Sequence, residues 1–133
     1  MEAKILKDTK RFRELSRSML SEGFAIRFRA QGRSMFPSIC DDENVTVVPL
    51  EGEVKAGELV FTDSDGILKV HRVNAIDRNA VMTRGDSCLE DDDAVSATSL
   101  LGRVSEIEDR KMFYQSRQIR AAIRRVLQRF GLR

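Results

Sequence analysis

Apolar side chains at helical spacing predict a helix near the start of the chain. Within residues 8–22 they recur three and four positions apart, which is the period of one buried helix face. The members of this face are Phe12, Leu15, Met19 and Leu20. Asp8 or Thr9 can cap the first turn, and Gly23 can end the helix because glycine readily adopts the left-handed conformation of a C-cap.

Residues 24–109 show instead the alternation of apolar and polar positions that is typical of half-buried strands. Strands are predicted over 24–30, 45–48, 59–62, 67–76, 80–84 and 100–107. Asp65 followed by Gly66 is a good hairpin signal between two of them. Short strands joined by short turns favour a mainly β fold, a coiled β-sandwich or partly open barrel, over a parallel sheet with crossover helices.

A second helix is predicted at the C-terminal end. Apolar residues return to helical spacing between 112 and 130, and residues 110–133 carry eight basic and no acidic side chains. We expect this basic helix either to pack on its own domain or a partner, or to contact a membrane peripherally. Nucleic acid is the least favoured partner, because neither stacking aromatics nor a recognition motif accompanies the basic residues.

Length and composition bound the domain count, the compartment and the cofactors. The 133 residues fit one domain, 1–133, whose net charge of +2 combines +4 over 1–30, −10 over 31–109 and +8 over 110–133. No apolar run approaches the roughly 18 residues that span a bilayer. Two cysteines, Cys40 and Cys88, are too few for a disulfide scaffold, so we expect a soluble, cytoplasmic protein with buried free thiols. No metal or organic cofactor is implied.

Three short segments carry side chains suited to catalysis. Ser34 lies within Gly-Arg-Ser-Met-Phe-Pro, residues 32–37, a turn that follows a predicted strand. Serines in turns more often bond the local backbone than attack a substrate. His71 is the only histidine, so any serine–histidine mechanism must use it. Asp86 and the acidic run 90–93 either form a solvated loop or supply a carboxylate that orients the imidazole.

Taken in order, these segments resemble the signal peptidase I and SOS-repressor (LexA-like) clan of serine peptidases over roughly residues 26–108. The matching boxes are the nucleophile box at 32–37, Val-Lys-Ala-Gly-Glu-Leu-Val-Phe at 54–61, the base box Val-His-Arg-Val at 70–73, Thr-Arg-Gly-Asp at 83–86 and Leu-Gly-Arg-Val at 101–104. Each box is modest alone, whereas five in the correct order are specific. Histidine rather than lysine in the base box is similar to the archaeal and endoplasmic-reticulum type.

The resemblance implies a role for individual side chains. Ser34 is implied as the nucleophile, His71 as the general base and Asp92 as the carboxylate that orients it. The alternatives for this carboxylate are Asp86, Asp91 and Asp93. Lys69, two residues before His71, is a fallback base, and the backbone N–H groups of Ser34 and Met35 are implied as oxyanion donors.

The chain also departs from the family pattern. Gly32 stands where members often carry a serine whose hydroxyl helps to bind the oxyanion, and losing one such donor costs on the order of a hundredfold in rate or more. Asp42 and Ser87 replace the usual Gly and Asn. Neither a membrane anchor nor a DNA-binding domain accompanies the peptidase-like boxes, so we expect a stand-alone member.

The function expected from the sequence is that of a soluble serine endopeptidase. It would cleave a peptide bond in a peptide or protein precursor, with the substrate extended along a strand edge. A non-catalytic peptide-binding module on the same fold is the alternative. A peripheral membrane protein, driven by residues 110–133, is a further one.

Overall fold

The computed structural model describes residues 2–3 and 9–107. Within them lie helix α1 (Thr9–Ser21), a 3₁₀ turn (Ala97–Ser99) and eight strands. The strands are β1 (Glu2–Ala3), β2 (Ile26–Arg29), β3 (Asn44–Val48), β4 (Leu59–Ser64), β5 (Ile67–Asp77), β6 (Ala80–Arg84), β7 (Val95–Ser96) and β8 (Leu100–Ile107). The predicted basic helix over 110–133 lies outside the described residues.

All eight strands belong to one curled sheet, in the order β1-β2-β3-β8-β4-β5-β6-β7. Every neighbouring pair is antiparallel except β1 with β2. The sheet curls into a half-barrel, and the prediction of a mainly β fold with an N-terminal helix is confirmed. No helix among the described residues is both long and apolar enough to cross a membrane.

The predicted element boundaries are close to the observed ones, and the exceptions have local causes. Strands over 80–84 and 100–107 are confirmed. The first predicted strand begins at Ile26 instead of residue 24, because the end of α1 uses the residues between. Gly23, with φ of 93°, donates to Leu20 O, and the N–H of Phe24 donates to Met19 O, which closes the helix.

The core is built where α1 packs against β2 and β8. Phe12 of α1 meets Phe28 and Phe61, with ring centroids 5.3 and 6.3 Å away, and the two strand rings are 5.1 Å apart. Each fully buried side chain of this kind contributes roughly 1.5–3 kcal/mol. One helix position was predicted wrongly: Leu15 is 45% exposed, while Ser16 is buried and donates to Arg13 O.

The β4–β5 hairpin positions β5, the strand that carries His71. Its turn residues Asp65 and Gly66 have φ of 51° and 86°, the left-handed conformations that a tight two-residue hairpin turn requires, so the predicted turn is confirmed. β5 is long, and it pairs with β4 from Ile67 onwards but with β6 only from Arg72. Within the described residues, the first half of β5 therefore keeps one unpaired edge.

Candidate active site

Ser34 is held in a compact turn that follows β2. The turn is closed by hydrogen bonds from Phe36 N–H to Arg33 O (3.1 Å) and from Ile39 N–H to Met35 O (2.9 Å). The side chains of Met35 and Ile39 are buried in the core and anchor the turn. The hydroxyl of Ser34, which is itself half-buried, is thereby presented at the surface of the core.

A second loop, residues 85–88, presses against this turn from the other side. Ser87 donates its N–H to Ser34 O (2.9 Å) and its hydroxyl to Arg33 O (2.5 Å). Gly85 packs so closely that a Cβ on it would lie 2.6 Å from Ser34 O and 3.0 Å from Ser34 Cβ. Only a residue without a side chain fits there, so the Gly85 contact sets the position of Ser34.

His71 connects the turn to a carboxylate. The imidazole is 6% exposed on β5, with Nε2 3.0 Å from Ser34 Oγ and Nδ1 2.5 Å from Asp92 Oδ2. An ionised carboxylate only accepts hydrogen bonds, so Nδ1 carries the proton and Nε2 is left to accept the Ser34 hydroxyl. The Ser34–His71 distance meets the requirement for a nucleophile and its base.

Asp92 is fixed by three further contacts. Its N–H donates to Thr83 O (2.8 Å), and Thr83 Oγ1 donates back to Asp92 Oδ2 (2.7 Å). Lys69 Nζ lies 3.5 Å from Oδ1. Burial raises the pKa of Asp92, but hydrogen bonds from His71 and Thr83 and charge interactions with His71 and Lys69 outweigh burial, so the pKa lies below its ordinary value.

The structure brings only one of the four candidate carboxylates against the imidazole. Asp86 is bound by Arg72 through two 2.8 Å hydrogen bonds and by Ser38 Oγ at 2.5 Å. Burial raises the pKa of Asp86, but the hydrogen bonds from Arg72 and Ser38 and the charges of Arg72 and His71 outweigh burial, so the pKa lies below its ordinary value. Asp91 binds Asn74 Nδ2 instead (2.8 Å). Asp93 is exposed and makes no contact with the imidazole within the described part of the chain.

The fallback base, Lys69, lines the same groove as Ser34, but its ammonium group contacts the orienting carboxylate. The polar contact of Lys69 within the described residues is with Asp92, whereas Ser34 Oγ is hydrogen-bonded to His71.

The two backbone N–H groups implied as oxyanion donors are available to a substrate. Among the described residues no protein group accepts a hydrogen bond from the N–H of Ser34 or Met35. By contrast, Gly32 N–H is engaged by Asp41 Oδ1 (2.8 Å).

A groove of about 610 Å³ opens onto Ser34 and His71. Its walls are mostly apolar and come from β2, the Ser34 turn, β4 and the unpaired half of β5. They include Phe28, Ala30, Ile39, Phe61, Leu68 and Val70. In the part of the chain that the structure describes, the first half of β5 pairs with β4 alone, so an extended chain lying in the groove has both apolar walls and a strand edge to pair with.

Two features were missed or misjudged from the sequence. Thr83 received no role, although a polar residue on the same strand face as the buried Val81 was a signal that its hydroxyl had a buried partner. The expectation of buried thiols is wrong for Cys88, which is exposed, and Cys40 is only partly buried. Cys88 is the last residue of the loop that packs on Ser34, and its N–H donates to Gly85 O (2.9 Å).

No protein-family model matches this chain, and no curated protein matches it either.

Proposed function

We propose that this chain is a serine endopeptidase with a signal-peptidase-like fold, which cleaves a peptide bond in an extended peptide or protein precursor. The observation that carries the proposal is the placement of His71, whose two nitrogens contact Ser34 Oγ at 3.0 Å and Asp92 Oδ2 at 2.5 Å. A serine hydroxyl becomes a competent nucleophile when an adjacent base removes its proton during attack, and a carboxylate stabilises the imidazolium that results.

The acylation step uses the three side chains in sequence. Ser34 Oγ attacks the carbonyl carbon of the scissile bond while its proton moves to His71 Nε2, and the carbonyl oxygen becomes an oxyanion. When the tetrahedral intermediate collapses, the C–N bond breaks and His71 returns the proton to the leaving amine. The amino-terminal part of the substrate then remains as an ester on Ser34, and Asp92 stays ionised throughout.

Deacylation repeats these steps with water. His71 takes a proton from a water molecule as its oxygen attacks the ester carbon, and the proton passes to Ser34 Oγ when the ester C–O bond breaks. The products are a carboxylic acid and the regenerated hydroxyl. In both steps the N–H groups of Ser34 and Met35 would donate to the oxyanion, where preorganised donors stabilise the developing charge.

The fold supports the family assignment. The nucleophile box, in the turn after β2, and the base box, on β5, line one groove, and the Gly-Asp box, in the loop after β6, packs against the nucleophile turn. The half-barrel sheet is compatible with the LexA-like architecture that the resemblance implies. Cys40 and Cys88 form no disulfide in the described part of the chain, which favours a reducing, cytoplasmic setting as part of the proposal.

Labelling by a fluorophosphonate tests the nucleophile directly. The reagent phosphonylates an activated serine with loss of fluoride, and intact-mass spectrometry followed by peptide mapping should place the adduct on Ser34. Ser34→Ala should abolish labelling, and His71→Ala should slow it by on the order of a hundredfold or more. Ser105→Ala is the matched control, because Ser105 is equally half-buried but lies on β8. An adduct that persists in Ser34→Ala contradicts the assignment.

A non-catalytic peptide-binding module on the same fold is the second candidate, and Gly32 favours it. The φ of Gly32 is 94°, a conformation that serine adopts only with strain, so this turn is not shaped for the hydroxyl donor of the family. The same Ser34 and His71 variants distinguish a peptidase from a binding module. A binding module would take no phosphonyl group, and Ser34→Ala and His71→Ala would both retain peptide capture.

A further inference from the structure

Among the described residues, Lys69 is the one lysine or arginine that lines the groove beside Ser34 and His71. It lies two residues before His71 on the same face of β5. Its Nζ approaches Asp92 Oδ1 at 3.5 Å, whereas Oδ2 of the same carboxylate takes the hydrogen bonds from His71 and Thr83. The two oxygens of Asp92 are therefore divided between a cation and the imidazole.

We propose that Lys69 is a positioning residue, whose ammonium group holds the second oxygen of Asp92 and offsets the negative charge that this carboxylate presents to His71. The charge compensation of Asp92 by Lys69 is inferred from the contacts of Asp92 with Lys69, His71 and Thr83. Its consequence for catalysis rests on the proposed peptidase function.

Within the described ranges, the charges that face His71 come from β5 and from the loop after β6, and each carboxylate is paired with a cation. The loop after β6 contributes two carboxylates, Asp92 in direct contact and Asp86 within electrostatic range. Arg72 neutralises Asp86 through its two hydrogen bonds, and Lys69 is the corresponding cation for Asp92. The other contacts of the site, from the hydroxyls of Ser34 and Thr83, carry no charge.

Removing the cation of a carboxylate–cation pair changes the proton affinity of a neighbouring imidazole in a predictable direction. An unbalanced carboxylate beside an imidazole favours the protonated ring, and a cation in the same place disfavours it. With Lys69 gone, the full charge of Asp92 acts on His71, which then binds its proton more tightly. A protonated ring cannot accept the hydroxyl proton of Ser34, so the base would be lost at a higher pH.

The chain offers an unusually direct test, because His71 is its only histidine. The imidazole Cε1–H signal, followed by NMR from pH 4.5 to 9, reports one titration without ambiguity. In Lys69→Met and Lys69→Gln the midpoint should move to higher pH than in the wild type, and in Lys69→Arg it should stay close to it. Lys55→Met is the matched control: it removes an exposed lysine from the loop before β4 and should leave the midpoint unchanged.

The pH dependence of phosphonylation provides the second readout. The acid limb of the rate profile should move upward in Lys69→Met by the same interval as the NMR midpoint, with only a few-fold loss on the alkaline plateau. An unchanged or lowered midpoint in both neutral variants overturns the proposal. So does a complete loss of labelling at every pH in a folded Lys69→Met, which would make Lys69 itself the base.

The two proposals fail in different ways. A raised midpoint in a wild-type protein that never reacts with the phosphonate would leave the role of Lys69 standing and refute the peptidase. Labelling of Ser34 with an unchanged midpoint would do the reverse.

Discussion

Gly85 lies against the backbone of the proposed nucleophile, and its lack of a side chain is needed there. A Cβ would approach Ser34 O to 2.6 Å and Cys88 Sγ to 2.8 Å, yet the φ of Gly85 is one that alanine can adopt. Gly85→Ala should therefore act by steric pressure alone. We expect a loss of about 1–3 kcal/mol in stability and a phosphonylation rate roughly ten- to a hundredfold lower, because small displacements of a reacting group are costly.

The control for Gly85→Ala should lose stability without touching the site. Gly52 has φ of 74° and open space around its Cβ position, so Gly52→Ala should cost about 1–2 kcal/mol through backbone strain. Thermal unfolding and the phosphonylation rate, measured on both variants, separate the two effects. A wild-type rate in Gly85→Ala would show that the Ser34 turn can move without consequence.

Asp92 decides which nitrogen of His71 carries the proton. An asparagine amide in its place can donate to Nδ1, which moves the ring proton to Nε2 and leaves no acceptor for the Ser34 hydroxyl. Asp92→Asn should lower the phosphonylation rate by on the order of a thousandfold or more. Asp91→Asn removes the same charge from the neighbouring position and should leave the rate nearly unchanged, because Asp91 contacts Asn74 instead. Equal losses in the two variants would contradict the role of Asp92.

At the scale of elements, one carboxylate joins α1 to the β4–β5 hairpin. Asp63 is buried at the end of β4, where it binds Arg17 at 2.7 Å and Arg13 at 3.6 Å from α1, and accepts the N–H of Gly66 from the turn. Burial raises the pKa of Asp63, but the hydrogen bonds from Arg17 and Gly66 and the charges of both arginines outweigh it, so the pKa lies below its ordinary value of 3.8.

Asp63→Asn tests this junction. At pH 7 it should lower the free energy of unfolding by about 1–3 kcal/mol, and not by more, because both arginines still reach water. The folded-state pKa is depressed, so the stabilisation is complete above pH 3.8 and fades as the pH falls through the folded value. The difference between the two proteins in urea unfolding should therefore shrink on going from pH 7 to pH 3.

Asp65→Asn is the companion variant. It removes the same charge two residues away, at an exposed left-handed turn position that asparagine tolerates well. Its stability should match that of the wild type at both pH values. If Asp63→Asn behaves in the same way, the ion pairs of α1 contribute nothing measurable.

A comparison of predicted and observed elements shows which of them a local sequence pattern can define. β6 and β8 were predicted with their observed bounds, because apolar alternation and flanking turn residues coincide there. β7, only two residues long, has too little pattern to be recognised. The face of α1 was misjudged at Leu15, which is exposed, and at Ser16, which is buried, because helical spacing defines the centre of an apolar face but not its edge.

At the scale of the whole molecule, charge separates along the chain. Residues 110–133 carry eight basic and no acidic side chains, so we expect the full chain to bind vesicles rich in phosphatidylserine, at about 1 kcal/mol for each cation near the surface. Sedimentation should show binding at 0.02 M salt that largely disappears at 1 M, where the Debye length falls to about 3 Å. Phosphatidylcholine vesicles are the control. Binding that is equal for both lipids, or insensitive to salt, would rule out an electrostatic origin.

Whereas the resemblance of the five boxes singled out Ser34, His71 and a carboxylate, the amino-acid pattern alone was sufficient to predict the mainly β fold, the helix before it and the hairpin turn, because each depends on local periodicity or on turn chemistry. It left four carboxylates open, and it could not say which side of β5 His71 occupies. Folding decided both. The hydrogen bond from Asp92 N–H to Thr83 O bends the loop back over β6, so Asp92 reaches the imidazole while Asp86 is turned towards Arg72. Such contacts join residues far apart in sequence, and only the paired strands and the packed loops bring them within bonding distance.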